Sequence, residues 1–479
     1  MYFLFAQKTQ MIISNLSSPT ILPEYQNLLQ GLENELAEQL SDPKPVQSAM
    51  DVEALEVALQ NTCRQFADRV AAVKIQASID SDALQEEVQQ LITLQPCKVR
   101  HQGIRHVNIR FSGGSLIEIS VPYYARKTPT KKREKGMYPA LLLLGVHDRC
   151  TPLLASEISR ASASLCSLEE ARQVMNDRGC MLNIKSIRNV VKRYAARARL
   201  AQQQGNSDLS VEAKGIAQRK VVISTDGGRV RIRSNKRGPK TKKGRNRYHT
   251  DWREPKLMII YVVDEQGRLD KAYSPFIDGT MQGPDQVFAL MAYYLKKLNI
   301  CAAEQILFVA DGALWIWERV KKLAIELKIK ASSFYELIDF YHVVEHLNAL
   351  AKMKSDWSEK QRKSWVKKQR HNLRWNEPSS VIESIKLICK GSRNKLLKRE
   401  REYFIKNIAR MKYHEIAEKN MPIGSGAIES SIRRVINMRL KGPCIFWHSD
   451  TADEMILLRS YHKSGRWSML NEMACKPIA

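Results

Sequence analysis

From residue 220 onward the apolar residues keep changing period, and the order of those changes limits the fold more than anything else in the 479-residue chain. "KVVISTDGG" is a short apolar run stopped by glycine, and "KLMIIYVVDEQGRLDKAYSPFID" holds two more runs about a turn at Glu265, Gln266 and Gly267. "PDQVFALMAYYLKKL" then spaces its apolar residues three and four apart, "QILFVADG" returns to a buried strand, "ALWIWERVKKLAIEL" is helical and "YELIDF" closes the series. Runs that are apolar throughout must be covered on both faces, so three strands followed by helix, strand, helix, strand predict one sheet under helices.

The segments upstream read differently. Residues from about 20 to 95 are acidic and helical in period, as in "DVEALEVALQNTCRQFADRV". "HVNIRFSGGSLIEISVPYY" alternates Val107, Ile109 and Phe111, then Ile117, Ile119 and Val121, around Gly113-Gly114, which predicts a hairpin. The basic run "RKTPTKKREKG" after it reads as a solvated loop that a phosphate could bind. Ser167 and Glu170 form a capping-box pattern before a short helix that Gly179 ends. A second helix from about Asn183 buries Ile184, Ile187, Val190 and Val191 and turns Lys185, Arg188, Lys192 and Arg193 outward. That pair fits a helix-turn-helix with a basic second helix for a major groove, and a plain helical hairpin with a solvated basic face fits the same pattern.

Charge narrows the class of partner. Lys plus Arg number 77 against 50 Asp plus Glu, a net charge of +27, which favours a polyanion, nucleic acid before membrane. "MYFLFA" and "YPALLLLGV" are far shorter than the roughly 20 apolar residues of a membrane span, so no membrane partner, signal or anchor is expected. Nine cysteines are scattered without a C-x-x-C pair, as in a reduced, cytoplasmic protein without a cysteine zinc site.

Asp226 in "STDGG" and Asp311 in "VADGA" each leave an apolar strand and precede a glycine that lets a ligand approach the backbone. Either alone is an ordinary Asp-Gly turn; two on neighbouring strands point to a divalent metal site, for which carboxylates are the natural donors. Glu429, in the first turn of the helix opened by "GSGAIESS", is the candidate third ligand. A glutamate there also complements the helix dipole, but this does not account for the neighbouring Arg433, Arg434 and Arg439, which suit DNA phosphates.

Together "STDGG", "VADGALWIW", "LIDFYHVVEHL" and "PIGSGAIESSIRRVINMRLKG…FW" resemble the DDE transposases of bacterial insertion sequences, in particular the Kra-type group allied to the Mutator-like superfamily, over roughly residues 100 to 465. The resemblance implies a multidomain α+β protein, an RNase H-like α/β catalytic core with an all-helical insertion, preceded by helical, β-hairpin and helix-turn-helix DNA-binding regions. It places the catalytic and metal-binding triad on Asp226, Asp311 and Glu429, with Asp339 and His342 as a supporting Asp-x-x-His motif. Two Mg²⁺ or Mn²⁺ ions, about 3.5–4 Å apart in such sites, would be the cofactors. The implied activity is cleavage of transposon ends and strand transfer into target DNA, by a homodimer or higher oligomer on double-stranded DNA, in the bacterial cytoplasm with the nucleoid. Relatives often carry a cysteine pair after the N-terminal hairpin, where this chain has "RKTPTKKREKG", so no zinc-stabilised finger is expected.

The expected regions are 1–95 helical, 96–150 hairpin and basic loop, 151–215 helix-turn-helix-like, 216–345 first part of the core, 346–420 helical insertion, and 421–479 last catalytic helix and tail. Between the first two core strands, "RIRSNKRGPKTKKGRNRYHTDWREPK" reads as a cationic loop whose Arg231, Arg233, Lys236, Arg237, Lys240, Lys242, Lys243 and Arg245 would clamp DNA phosphates. In the insertion, Trp357, Trp365 and Trp375 read as core residues or as stacking partners for a strand end. Two other functions fit parts of the chain. His342, Glu345 and His346 spell H-x-x-E-H, the pattern of a zinc metallopeptidase, and the whole could be a DNA-binding regulator with a silent nuclease domain.

Overall fold

The computed structural model describes residues 23–41, 46–95, 98–126, 136–205, 207–375 and 377–476. The apolar start "MYFLFA" and nearly all of the basic run 126–136 lie outside them. The protein is a mixed α+β fold in two compact units, residues 23–161 with 168–191 and residues 162–167 with 192–476.

The first unit opens with three helices, α1 (Pro23–Leu40), α2 (Ala49–Ile79) and α3 (Asp82–Thr93). Ser48 and Asp51 form a reciprocal capping box that satisfies the first amides of α2. Strands β1 (Val99–Arg110) and β2 (Leu116–Arg126) then pair antiparallel with Val107 opposite Ile119 and Ile109 opposite Ile117, the alternation expected of a hairpin. Val107, Ile109, Phe111, Ile119 and Val121 are buried with Ala72 and Ile79 of α2, forming the core of this unit. Buried Asp68 of α2 accepts the amides of Gly113 (3.0 Å) and Ser115 (3.1 Å), so the helix clasps the hairpin turn, where Gly114 has φ +98°.

Helices α4 (Pro139–Leu143), α5 (Pro152–Ser164), α6 (Leu168–Asp177) and α7 (Ile184–Gln203) follow. Gly179, at φ +83°, makes the turn between α6 and α7, and the Cys180 amide closes back on the Met175 carbonyl at 2.9 Å. Along α7, Ile187, Val190 and Val191 are buried while Lys185, Arg188, Lys192 and Arg193 are exposed, as the spacing predicts, whereas Ile184 in the first turn is only half-buried.

The second unit is built on one five-stranded sheet. After the short α8 (Ser210–Ile216) come β3 (Lys220–Gly227), β4 (Val230–Asn235), β5 (Tyr248–Arg253), β6 (Lys256–Val262) and β7 (Phe276–Thr280). Then α9 (Pro284–Lys297), β8 (Gln305–Ala310), α10 (Leu314–Glu326) and β9 (Phe334–Ile338) complete it. The order across the sheet is β7-β6-β3-β8-β9; β3 is antiparallel to β6 and β6 to β7, whereas β8 runs parallel to both β3 and β9. Every residue of β6 and β7 is buried, which is why "LMIIYV" in β6 reads as an unbroken apolar run.

The stretch expected to be a loop is instead a two-stranded ribbon. β4 and β5 pair antiparallel in a sheet of their own, Val230 opposite Arg253 through Asn235 opposite Tyr248.

The remaining helices are α11 (Phe340–Lys352), α12 (Glu359–Arg374), α13 (Pro378–Cys389), α14 (Lys395–Asn407), α15 (Tyr413–Glu418), α16 (Gly426–Ile432), α17 (Ser449–Lys463) and α18 (Trp467–Cys475). α16 runs directly into a π-helical turn, Arg433–Asn437. A buried polar cluster ties helices to the sheet. The Asp278 carboxylate of β7, with no exposed surface, takes both Nη atoms of Arg199 (2.8 and 3.0 Å), Nε2 of Gln202 (3.0 Å) and the hydroxyl of Tyr294 (2.9 Å), which also meets Tyr461 Oη at 2.7 Å. Among the described residues no helix is long and apolar enough to cross a membrane, and the cysteines are free thiols.

Candidate functional site

An aspartate stands at the carboxyl end of each of three parallel neighbours, as the next-to-last residue of β3 and just past the last residue of β8 and of β9. The last paired residues of β3 and β8 are Ile223 and Phe308, and Asp226 and Asp311 lie three residues beyond them. Ala310 pairs with Ile338, which sets Asp339 beside Asp311, and the Asp339 amide donates to the Ala310 carbonyl at 2.8 Å. A row of carboxylates at the carboxyl ends of parallel strands is where an α/β sheet presents ligand-binding groups.

Each aspartate is held by local backbone. Asp226 Oδ1 accepts the Gly227 amide at 2.6 Å; Asp311 Oδ1 accepts Ala313 N at 3.0 Å while its carbonyl takes Trp317 Nε1 at 2.7 Å. Asp339 caps α11, accepting the His342 amide at 2.8 Å on one oxygen and the Ser425 amide on the other. Ser425 opens α16, and its hydroxyl lies 3.3 Å from Glu429 Oε1, so one residue joins the buried Asp339 to the exposed Glu429. α16 itself packs on β3 and β6. Gly228, just past β3, leaves room for the π turn, since a Cβ there would come within 2.6 Å of Ile436 Cδ1.

The charges are strongly coupled. Burial pushes the Asp226 carboxyl up to about 6, and the negative charge of Asp311 adds to this while His342 opposes it. Burial also works against the Asp339 carboxylate, yet the bonds from His342 and Ser425 outweigh it and hold the group down at about 2. His342 Nδ1 lies 3.3 Å from Asp339 Oδ1, and that carboxylate raises the imidazole to about 9, so His342 is a cation at neutral pH.

Among the described residues, the group close enough to share one metal ion is Asp339, His342 and Glu429, whose ligand atoms lie within 4.8 Å of one another. Of the three expected metal ligands only Glu429 belongs to this group, together with the expected supporting pair Asp339 and His342; Asp226 and Asp311 lie outside it, near enough to feel the charge of His342 and of each other. Neither Glu345 nor His346 belongs to this group. His346 Nδ1 meets Glu400, and its ring stacks on Tyr403 with centroids 3.8 Å apart, so the H-x-x-E-H residues do not converge as a zinc site needs. The donor set of this group is two carboxylates and one imidazole, and the carboxylates favour a hard divalent cation such as Mg²⁺ or Mn²⁺.

Tyr403 is a neighbour that the sequence did not reveal. Its hydroxyl is buried without a hydrogen-bond partner, close enough to Asp311 and Asp339 to feel their charge, and Gly312 makes room for its ring: a Cβ would stand 2.1 Å from Tyr403 Cε2. It comes from α14, 92 residues after Asp311 in sequence, and no local pattern announces such a contact.

The cations expected at DNA divide into two kinds. Arg233, Lys236, Arg237, Lys240, Lys242, Lys243 and Arg245 on the ribbon are exposed, as is Arg433; Arg231 and Arg434 are half-buried. Arg439 must be withdrawn from the set, because it is 6% exposed and its guanidinium packs over the Trp447 ring at 5.1 Å. In the insertion, Trp357 and Trp365 half-bury each other with centroids 5.8 Å apart, whereas Trp375 is exposed. Compared with known proteins, the chain matches no family model, no curated protein and no solved structure.

Proposed function

We propose that the protein is a DDE-type DNA transposase that cleaves transposon ends and transfers the strands to target DNA, acting as an oligomer on double-stranded DNA. The observation that carries the reading is the row Asp226, Asp311 and Asp339 at the ends of β3, β8 and β9, met by Glu429 from α16. The element order, three successive strands paired antiparallel and then helix, strand, helix, strand, agrees with an RNase H-like core, and the net charge of +27 agrees with a nucleic-acid substrate.

Asp226, Asp311 and Glu429 would hold Mg²⁺ or Mn²⁺, with Asp339 and His342 adjoining, and the bound ions would supply Lewis-acid stabilisation of charge at a phosphodiester. The chain's own groups prepare that chemistry. Asp339 orients His342 and, through Ser425, the start of the Glu429 helix. His342, as a cation, balances the charge of the neighbouring carboxylates. The exposed ribbon cations would hold phosphates.

The test is nicking and joining of a labelled duplex carrying the element's own ends, with Mg²⁺ or Mn²⁺, comparing the parent with Asp226→Asn and Glu429→Gln. The parent is expected to cleave and join while both variants only bind. Equal activity in parent and variants, or a parent that binds DNA without cleaving it, overturns the reading; the second outcome is that of a silent DNA-binding protein.

A further inference from the structure

The ribbon has two unlike faces. Residues directly opposite in an antiparallel pair share a face, so Arg231 with Trp252, Arg233 with Thr250 and Asn235 with Tyr248 form one side, and Val230, Ile232 and Ser234 with their partners form the other. On the second side Val230 and Ile232 are buried, at 0% and 6% exposed. Segment 446–448 meets β4 through a single parallel bridge, Trp447 to Ile232, with the Arg233 amide on the Trp447 carbonyl (2.8 Å) and the Trp447 amide on the Arg231 carbonyl (3.0 Å). The strand period of two then adds Phe446 and His448 to the first face.

That first face alternates cations and rings. Arg231 lies over Trp252 (4.9 Å) and Phe446 (5.3 Å), Arg233 over Tyr248 (5.6 Å), and Arg233 Nε meets His448 Nε2 at 3.2 Å. Trp252 and Tyr248 keep 50% and 47% of their surface exposed. No acid stands on this face; Asp251 points to the other, with His249 at 3.9 Å. Beyond the paired residues the tip, 236–247, carries seven cations and no acid.

We infer that the outer face of the ribbon is a stacking platform for unpaired DNA bases, with the cationic tip gripping the phosphates that lead to it. The inference rests on the DNA reading above and adds to it the form of DNA this surface takes. A duplex keeps the faces of its bases inside the stack, so half-exposed rings set among arginines gain nothing from it beyond the phosphate attraction that plain lysines would give. An unpaired strand offers a ring face at every nucleotide, to which aromatic side chains and guanidinium planes stack in any sequence. Burial of Val230 and Ile232 beneath β4 and the bridge to Trp447 anchor the base of the ribbon, which holds the rings in place before the strand arrives.

The test is done in EDTA, without metal, on the full chain. Binding of a thymidine oligomer of about 16 nucleotides and of a duplex of mixed sequence is measured for the parent, Trp252→Ala and Trp252→Phe. Trp252→Ala is expected to weaken oligomer binding about 5-fold or more and to leave duplex binding unchanged, and Trp252→Phe to restore most of the loss. Oligomer binding indifferent to Trp252→Ala, or an equal loss on both probes in a variant whose urea unfolding matches the parent's, overturns the platform; where urea unfolding shows that Trp252→Ala does not fold, the decision passes to Tyr248→Ala measured the same way. Because no cleavage is read, an inert metal site leaves this result standing, and a failed platform leaves the cleavage assay standing.

Discussion

Replacing Arg199 by leucine would expose how α7 is fastened to the sheet. The guanidinium makes two charge-assisted bonds to Asp278, at 2.8 and 3.0 Å, and Asp278 has no exposed surface. Removing one partner of a buried ion pair costs about 3–5 kcal/mol, since the other charge stays behind in a medium that cannot solvate it. Gln202 Nε2, Tyr294 Oη and the Gly279 amide continue to donate to the abandoned carboxylate, at 3.0, 2.9 and 2.7 Å, which places the loss near the lower end, about 3 kcal/mol. Urea unfolding at neutral pH measures it. Asp278→Asn keeps the shape and removes the charge, so in the double variant the uncompensated charge is gone and the cost should fall short of the sum of the two single costs by about 1.5–3 kcal/mol. Strict additivity, within about 0.5 kcal/mol, would refute the reasoning and assign the stability of this region to packing alone.

Glu454 on α17 offers a pH test. Burial pushes its carboxyl up to about 7, against the pull of Lys192 and with help from Asp450 and Asp453, while the unfolded chain titrates near 4.5. The folded state therefore holds a proton that the unfolded state has lost, so stability is highest below the unfolded value and falls as pH rises through the folded one. Glu454→Gln should flatten that fall in urea midpoints taken at pH 5 and pH 8; an unchanged slope rejects it. Neutralising Lys240, Lys242, Lys243 and Arg245 together, all exposed, should leave unfolding unchanged and reduce the salt slope of duplex binding by about 0.9 for each phosphate no longer neutralised. Gly312→Ala should push Tyr403 off its place over His346 and disturb Asp311, lowering metal-dependent activity while DNA binding persists; full activity would show that the ring yields freely.

Local period made the hairpin, the sheet strands and the exposed face of α7 legible, because burial on one side or both leaves its mark on every second, third or fourth residue. Asp226 and Asp311 could be picked out for the same reason, each following an apolar run and preceding glycine. The ribbon escaped that reading: β5 is exposed at all six positions, so "YHTDWR" has no apolar alternation to show, and Gly238, Pro239 and Gly244 of its tip look like a loop. Arg439 was misplaced because its partner ring, Trp447, lies in a segment whose path no period predicts. Tyr403 and Ser425 reach the site through tertiary packing and one backbone amide, interactions that depend on where distant elements meet rather than on spacing along the chain.

The π turn after α16 sets the phase of everything beyond it. A regular helix advances about 100° per residue, so the wider turn at Arg433–Asn437 amounts to one surplus residue wound in between Glu429 and the segment that braces the ribbon. Deleting a single residue there would restore uniform winding and rotate the path toward Trp447 by about that angle, shifting the segment that pairs with the ribbon relative to Glu429 without altering any residue of the ribbon. Length at this point is thus itself a specification, one that no survey of substitutions would register.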